Sequence, residues 1–439
     1  MNIKDKGNNL SGSGNNHNRQ HPSFADSFDK QNTLHGAGGF NLKNPDQSKM
    51  VLKAFRLFLS MFFILISVNS FSQQKLVFSG YLKYLGMYYH PEIDIPGIDA
   101  NHLGYGMIHN RLNFEWFASN KLTAKLEIRN RLFFGQIIKI FPDYRDFIDV
   151  DNGYFNLSTI IASSNDWFLH SIIDRASLDY TNGKWEIKVG RQRVNWGINL
   201  VWNPNDIFNT FSYFDFDYEE RPGTDAAKIQ YYTGATSSAE IVYKIARDVD
   251  SMALAGMYRF SLWNYDFQFL SGWDGPDYVI GGGWSGDIMG GGFRGELSYF
   301  TPREADNGSF ASLVASVDGD YTFRNSLYVH SAILYNSHGT TGKAGGRTFF
   351  DLNLSAKMLS LARYDIFGQV SYPFTPLFTG SFSGMVNPCD GSLFMGPSLT
   401  YSLGNNLELM ATAQIFTGNT GTEFGGLGQA IYGRLKWSF

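Results

Sequence analysis

The sequence predicts an all-β fold, a transmembrane antiparallel β-barrel of about 16–18 strands with long loops, preceded by a signal peptide. Three observations predict it. After residue 75, side chains alternate apolar and polar with period two along almost the whole chain. Many of these runs are about ten residues long, the length a tilted strand needs to cross a bilayer. Phe, Tyr and Trp make up 16% of the chain and gather near the ends of the runs, as interfacial girdles do.

Residues 1–49 form a polar leader rich in Asn, Gly, Ser and Gln, with too few branched or aromatic residues to offset the entropy of ordering. Composition changes at Met50. Lys53 and Arg56 form a positive region, Leu57 to Val68 an apolar core, and Ser70 and Ser72 the small residues of a cleavage site, so residues 50–72 read as a secretory signal. Met50 is then the expected start of the native chain, and residues 73–439 the barrel. That remainder holds 28 Lys and Arg against 36 Asp and Glu, a net charge of −8, which gives no reason to expect nucleic acid as a partner. The single cysteine, Cys389, excludes an intrachain disulfide framework.

Alternation starts near Leu76. In Lys121 to Phe134, Leu122, Ala124, Leu126, Ile128, Leu132 and Phe134 share one face; Lys125, Glu127, Arg129 and Arg131 share the other. Gln136 to Trp167 is a long connection. Lys184 to Val189 alternates again, with Trp185, Ile187 and Val189 on one side. Arg191 to Pro222 is a second connection of similar length, too long for a hairpin turn, so both are candidates to fold into the lumen. Further runs end in a strand carrying Tyr432, Trp437 and a terminal Phe439.

A soluble β-sandwich also alternates. The signal peptide, the charges continuing across neighbouring runs and the aromatic end of the chain favour the barrel, which must close because backbone groups in lipid have no water to bond.

The chemistry-bearing residues argue against an enzyme. Six histidines remain after the signal, and no pair has the spacing of a helical zinc site. His170-Ser171 and His330-Ser331 are adjacent and so lie on opposite faces of a strand. The glycine run from Gly281 to Phe293 has no Gly-Lys-Ser/Thr, and reads as room for kinks or close backbone approach. Acids Asp215, Asp217, Glu219 and Glu220 lack the spacing of a calcium loop. No catalytic residue, metal or cofactor is expected.

Gly190 to Asn209 is the densest segment. Parity carried on from Val189 puts Arg191 and Arg193 on the lipid side, so either the strand is leaving the apolar band or a bulge turns them inward. Trp196-Gly197 allows a sharp bend, Trp202-Asn203-Pro204 sets a turn, and Asp206 is placed to accept from backbone or pair with an arginine. Together with Phe208 and Arg221-Pro222-Gly223-Thr224-Asp225-Ala226, this segment resembles a pattern in porin-like outer-membrane proteins of Gram-negative bacteria. Alginate-export-type channels are more distant in architecture. The likeness is specific only from Gly190 to Ala226; elsewhere it is general barrel character. It implies a passive channel and names no solute.

The leading expectation is therefore an outer-membrane channel for small polar or anionic solutes, embedded in lipid. Lys125, Glu127, Arg129, Arg131, Arg191, Arg193 and Asp206 are the candidate constriction charges. The alternative is a non-conducting barrel that anchors, assembles or binds partners through its loops. A homotrimer of such barrels is compatible with the sequence.

Overall fold

The computed structural model describes residues 75–92, 102–215, 217, 221, 223–304, 308–345 and 355–439. The expected leader and signal peptide lie outside these residues.

The strands are β1 (Leu76–His90), β2 (Leu103–Ser119), β3 (Leu122–Gly135), β4 (Ser158–Ser163), β5 (Trp167–Asn182), β6 (Trp185–Gln192), β7 (Thr224–Tyr232), β8 (Ser238–Lys244), β9 (Ala253–Leu262) and β10 (Tyr265–Asp274). There follow β11 (Asp277–Ile288), β12 (Gly291–Pro302), β13 (Ser312–Thr322), β14 (Tyr328–Asn336), β15 (Tyr364–Thr375), β16 (Phe378–Val386), β17 (Leu393–Gly404), β18 (Leu407–Thr417) and β19 (Gln429–Ser438). Two short helices, α1 (Gln136–Ile140) and α2 (Tyr144–Ile148), lie between β3 and β4.

All wall pairings are antiparallel, and β19 returns to β1 from Tyr81↔Ser438 to His90↔Gln429, so no edge is left unpaired. Eighteen strands make this closed wall. The short β4 is an addition. It pairs with Phe168–Ile172 of β5, on the edge beyond the stretch Ala176–Asn182 that β6 occupies, while β3 holds the other edge. Where β6 leaves the wall, β4 takes its place.

Alternation fixes which face is which. Leu126, Leu178, Val189, Ile241, Phe269, Leu297 and Ile333 are exposed on the outside, as a lipid-facing surface requires. Their sequence neighbours Ser177, Glu240, Gln268, Glu296 and Ala332, and Arg129 three residues after Leu126, are buried on the inside. One register shift breaks the rule usefully. Glu127 pairs with Arg175 but Ile128 pairs with Ile173, so Asp174 is an inserted bulge residue, and Asp174 and Arg175 are both buried.

The two rims differ. The rim where β1 starts and β19 ends carries short turns. At Trp263-Asn264 and Met289-Gly290 both central residues have positive φ, the geometry that matches strand twist. The opposite rim carries the long connections, in the manner of bacterial outer-membrane barrels. In that half the interior is packed. Val194, Trp196, Trp202, Ile207 and Phe208 form one apolar cluster with Ala255, Leu270, Phe300, Leu334, Phe367 and Phe416 from the inner face of the strands. Toward the short-turn rim the same faces turn polar.

Candidate functional site: the inner loop and the charged walls

The site grows from the end of β6. Gly190 takes a φ of 113°, which a side chain would not tolerate, since a Cβ there would lie 2.2 Å from the Ala176 carbonyl oxygen. Arg191 then keeps the outward parity of Val189 yet is 3% exposed, because the segment Asp151 to Phe155 covers it. Its guanidinium gives two bonds to Asp225 (2.8 and 2.9 Å), one to Asp151 (2.7 Å), and others to the carbonyls of Ile173 and Phe155. Arg191 thus pins β6, β7 and the covering segment together, with every donor of its guanidinium occupied.

Beyond Gln192 the chain turns inside. Asn209 accepts from the Val194 N–H and gives to Thr224, tying the start of the loop to its end. The Asp206 N–H bonds the Asn203 carbonyl, closing the turn that Pro204 presets. Gly197 is required because Asn203 packs where a Cβ would stand, 2.3 Å from Asn203 Oδ1. Trp196 is 1% exposed, edge-on to Phe208 at 4.8 Å, and its Nε1 gives a 2.6 Å bond to Glu240.

The loop is held by acids on the inner faces of β8, β12 and β13. Glu296 accepts the backbone N–H groups of Ile198, Asn199 (2.9 Å) and Asn205 (2.9 Å). Asp318 accepts from Leu200 at 2.6 Å, and Gln268 donates to the Trp196 carbonyl at 2.7 Å. The glycine run finds its reason here. Asn205 donates to the Gly282 carbonyl at 2.9 Å, and a Cβ on Gly281 would meet Asn205 Oδ1 at 2.8 Å. The glycines clear a seat for the loop tip.

The facing wall, β1 to β3, β5 and β19, is basic. Arg111 gives a 2.6 Å bond to Asp174 and a 2.5 Å bond to Glu127; Arg129 gives 2.9 Å to Asp174. Lys83 bonds both the carboxylate (2.9 Å) and the carbonyl (2.8 Å) of Asp217, and Arg434 lies 3.7 Å from the same carboxylate. The end of the loop thus reaches this wall. Lys125 pairs with Glu115 at 2.9 Å, nearer the short-turn rim, and Arg193 is solvent-exposed.

Asp206 is 1% exposed, bonded by Arg221 at 2.6 Å and more distantly by the Trp196 N–H at 3.4 Å, so it is an internal strut and is not open to solvent. Arg221 stacks 3.9 Å over Phe211. Trp202 and Phe208 are buried with Trp196, and a Cβ at Gly223 would strike the Asp174 carbonyl at 2.2 Å. Pro222, Glu219 and Glu220 lie outside the described residues.

Sequence alternation does not single out Glu240, Glu296, Asp318, Lys83 or Arg434. Each sits on the polar parity of a strand, but so do many others. Asp174 is hidden further by its bulge.

Burial pushes Asp206 up to about 6 against the opposing pull of Arg221, and Asp215 also to about 6, helped by Asp217. An acid whose folded pKa is raised stabilises the docked loop fully below its unfolded value near 3.8, and that stability is lost as pH rises through about 6. Loop docking is therefore expected to be tighter at pH 4 than at pH 7. In Asp206→Asn the Asp206 share of this dependence should vanish from the pH profile of loop release in urea, read by the fluorescence of Trp196 and Trp202. An unchanged profile would count against it.

One constellation brings serine, histidine and aspartate together. Ser158 Oγ is 2.5 Å from Asp149 and 2.7 Å from His170 Nε2, while Arg131 Nη2 is 3.2 Å from His170 Nδ1. Arginine only donates, so Nδ1 accepts; the neutral ring carries its hydrogen on Nε2 and gives it to Ser158, which donates to Asp149. A serine nucleophile needs the reverse, with histidine accepting from the hydroxyl. The network braces β4 against β5.

No family model matches the sequence, and comparison with curated proteins finds no match. Solved structures do. OccK11 (OpdR) of Pseudomonas aeruginosa superposes with a TM-score of 0.54 at 10% identity, over 83% of this chain and 96% of the other. OccAB3 of Acinetobacter baumannii gives 0.54 at 10%, over 82% and 99%. The outer membrane protein OprD of Pseudomonas aeruginosa gives 0.53 at 10%, over 83% and 93%. The eighteen closed strands, the apolar outer band and the charged interior, together with these neighbours, give this chain a porin-like closed β-barrel fold.

Proposed function

We propose that the protein is a channel through which small polar and anionic solutes cross the outer membrane by passive diffusion. The observation that carries this reading is the unequal treatment of the two inner walls. The acids Glu240, Glu296 and Asp318 are occupied by the inner loop's own N–H groups. Opposite them stand Lys83, Arg111, Arg129, Arg131, Arg175 and Arg434, against Glu127, Asp174, Asp215 and Asp217. The field left for a solute is positive, and such a field raises the local concentration of anions. Of the expected constriction charges, Arg129, Arg131, Glu127 and Lys125 fit this reading through their inward parity, and Arg193 through its exposure. Association of like chains side by side is compatible with it, since each copy has its own lumen.

The test is single-channel conductance of residues 73–439 in a planar bilayer, with reversal potentials in a salt gradient. Stepwise currents with anion preference are expected, and Arg129→Ala with Arg131→Ala should move the reversal potential toward cations. Unchanged potentials would remove these two arginines from the pathway. The second reading, a non-conducting anchor or surface-binding barrel, is favoured by the apolar packing in the long-loop half and by Asp217 reaching the basic wall. A folded barrel that stays silent would establish it.

A further inference from the structure

The six histidines of residues 73–439 fall into different surroundings. His109, His170 and His330 are buried. His338 lies flat against Phe310, with ring centres 3.5 Å apart. His90 and His102 are both exposed, and they stand together.

Alternation and register bring them there. On β1, Tyr84 and Tyr88 are exposed outside while Lys83, Leu85 and Tyr89 are buried inside, so His90 at the end of the strand falls on the outer parity. On β2 the buried Leu103 faces inward, and His102 just before it faces outward. The last rung between these strands pairs Tyr89 with Leu103; one place further sets His90 opposite His102. The pair stands at the long-loop rim, two residues past the aromatic Tyr88, where the apolar outer band gives way to water.

The two ring centres are 5.1 Å apart with their planes tilted by 42°, so the imidazoles are neither stacked nor edge-on. Tyr88 lies along His102 at 4.9 Å with planes 28° apart, which restricts rotation of that ring. An imidazole nitrogen binds a zinc-like ion at about 2.0–2.1 Å, and two imidazoles sharing one ion at an angle of about 90–110° have ring centres about 4.5–5.2 Å apart. The observed spacing falls in that range. On the other side of His90 the same rung continues to Gln429 of β19, which is exposed on the same face. None of the three residues carries an amine or a guanidinium to repel a cation. None carries a carboxylate either, which disfavours calcium and magnesium, whereas imidazole suits zinc, copper and nickel.

We propose that His90 and His102 form a two-imidazole site for a divalent first-row transition metal ion on the outside of the barrel, with solvent filling the remaining coordination positions. A bound ion would tie the end of β1 to the start of β2. The site lies outside the lumen, so it rests on the register of these strands and is independent of the channel reading.

The test uses untagged residues 73–439, refolded in detergent and titrated with Cu²⁺, the ion such ligands hold most tightly, with Zn²⁺ as competitor. One ion per barrel is expected, with splitting from two imidazole nitrogens in its electron paramagnetic resonance spectrum. Two ligands on one rigid ladder act as a chelate, so His90→Ala or His102→Ala should each weaken binding about a hundredfold and leave at most one nitrogen. His338→Ala should leave binding unchanged. Zn²⁺ should displace the copper and, in the wild-type barrel, shield His90 and His102 from diethyl pyrocarbonate, as located by mass spectrometry. Copper binding that survives both alanine substitutions belongs to some other place on the barrel and would overturn the proposal. So would a wild-type barrel that binds copper no more tightly than either variant. Should a variant fold poorly, the wild-type protection decides, and equal modification with and without Zn²⁺ would refute the site.

Discussion

Glu296→Ala is expected to release the inner loop and to be among the most damaging single changes in the barrel. The carboxylate is 1% exposed and accepts three backbone N–H groups, from Ile198, Asn199 and Asn205. Each buried N–H left without a partner costs about 1–3 kcal/mol. The sum, on the order of 4 kcal/mol or more, exceeds what a loop end is expected to retain on its own. Trypsin should then cut at Arg193, and channel currents should become larger and noisier. Glu296→Gln should be milder. Its carbonyl can still serve Ile198 and Asn199, but its amide would point a hydrogen at the Asn205 N–H. If Glu296→Ala matches the wild type in protease resistance and current noise, the loop is held by its apolar packing and the acid is incidental.

Asp174→Ala is the second change of large effect. Asp174 is 2% exposed and binds two guanidiniums, Arg111 at 2.6 Å and Arg129 at 2.9 Å. Removing the shared anion leaves buried positive charge without its counter-ion, which costs about 3–5 kcal/mol. Urea unfolding should show that loss. Introducing Arg129→Ala into Asp174→Ala should recover part of it, since one stranded charge is then gone. The surviving barrel should also become more anion-selective than the wild type. Independent, additive effects of the two substitutions would mean that the pair is not coupled as its geometry implies.

Much of the fold was legible because a strand's period of two writes its two environments directly into the sequence. Lys121 to Phe134 reads as one lipid face and one inner face, and Leu126 and Arg129 indeed lie on opposite sides of the wall. The glycine run was legible as a place of close backbone approach, though not what approaches it. Arg191 shows where this reading stops. Its parity was legible, but its five hydrogen bonds come from residues 18 to 40 positions away in sequence, and no local pattern records them. Ser158 and His170 meet for the same reason, through a strand that fills a gap left by another.

By itself, then, the sequence determined the all-β class, the barrel, the approximate strand number, the inward and outward faces, and the two long connections, because each follows from local periodicity and turn chemistry. Only the tertiary structure decided what the charges do. Whether a carboxylate on an inner face meets water, an arginine or a loop N–H depends on closure of the ring and on where the Val194 to Phe214 segment is seated. Closure brings Lys83 of β1 to Asp217 and Glu296 of β12 to Asn199. These partners are far apart along the chain, and a side chain's electrostatic role is fixed by its neighbours in space.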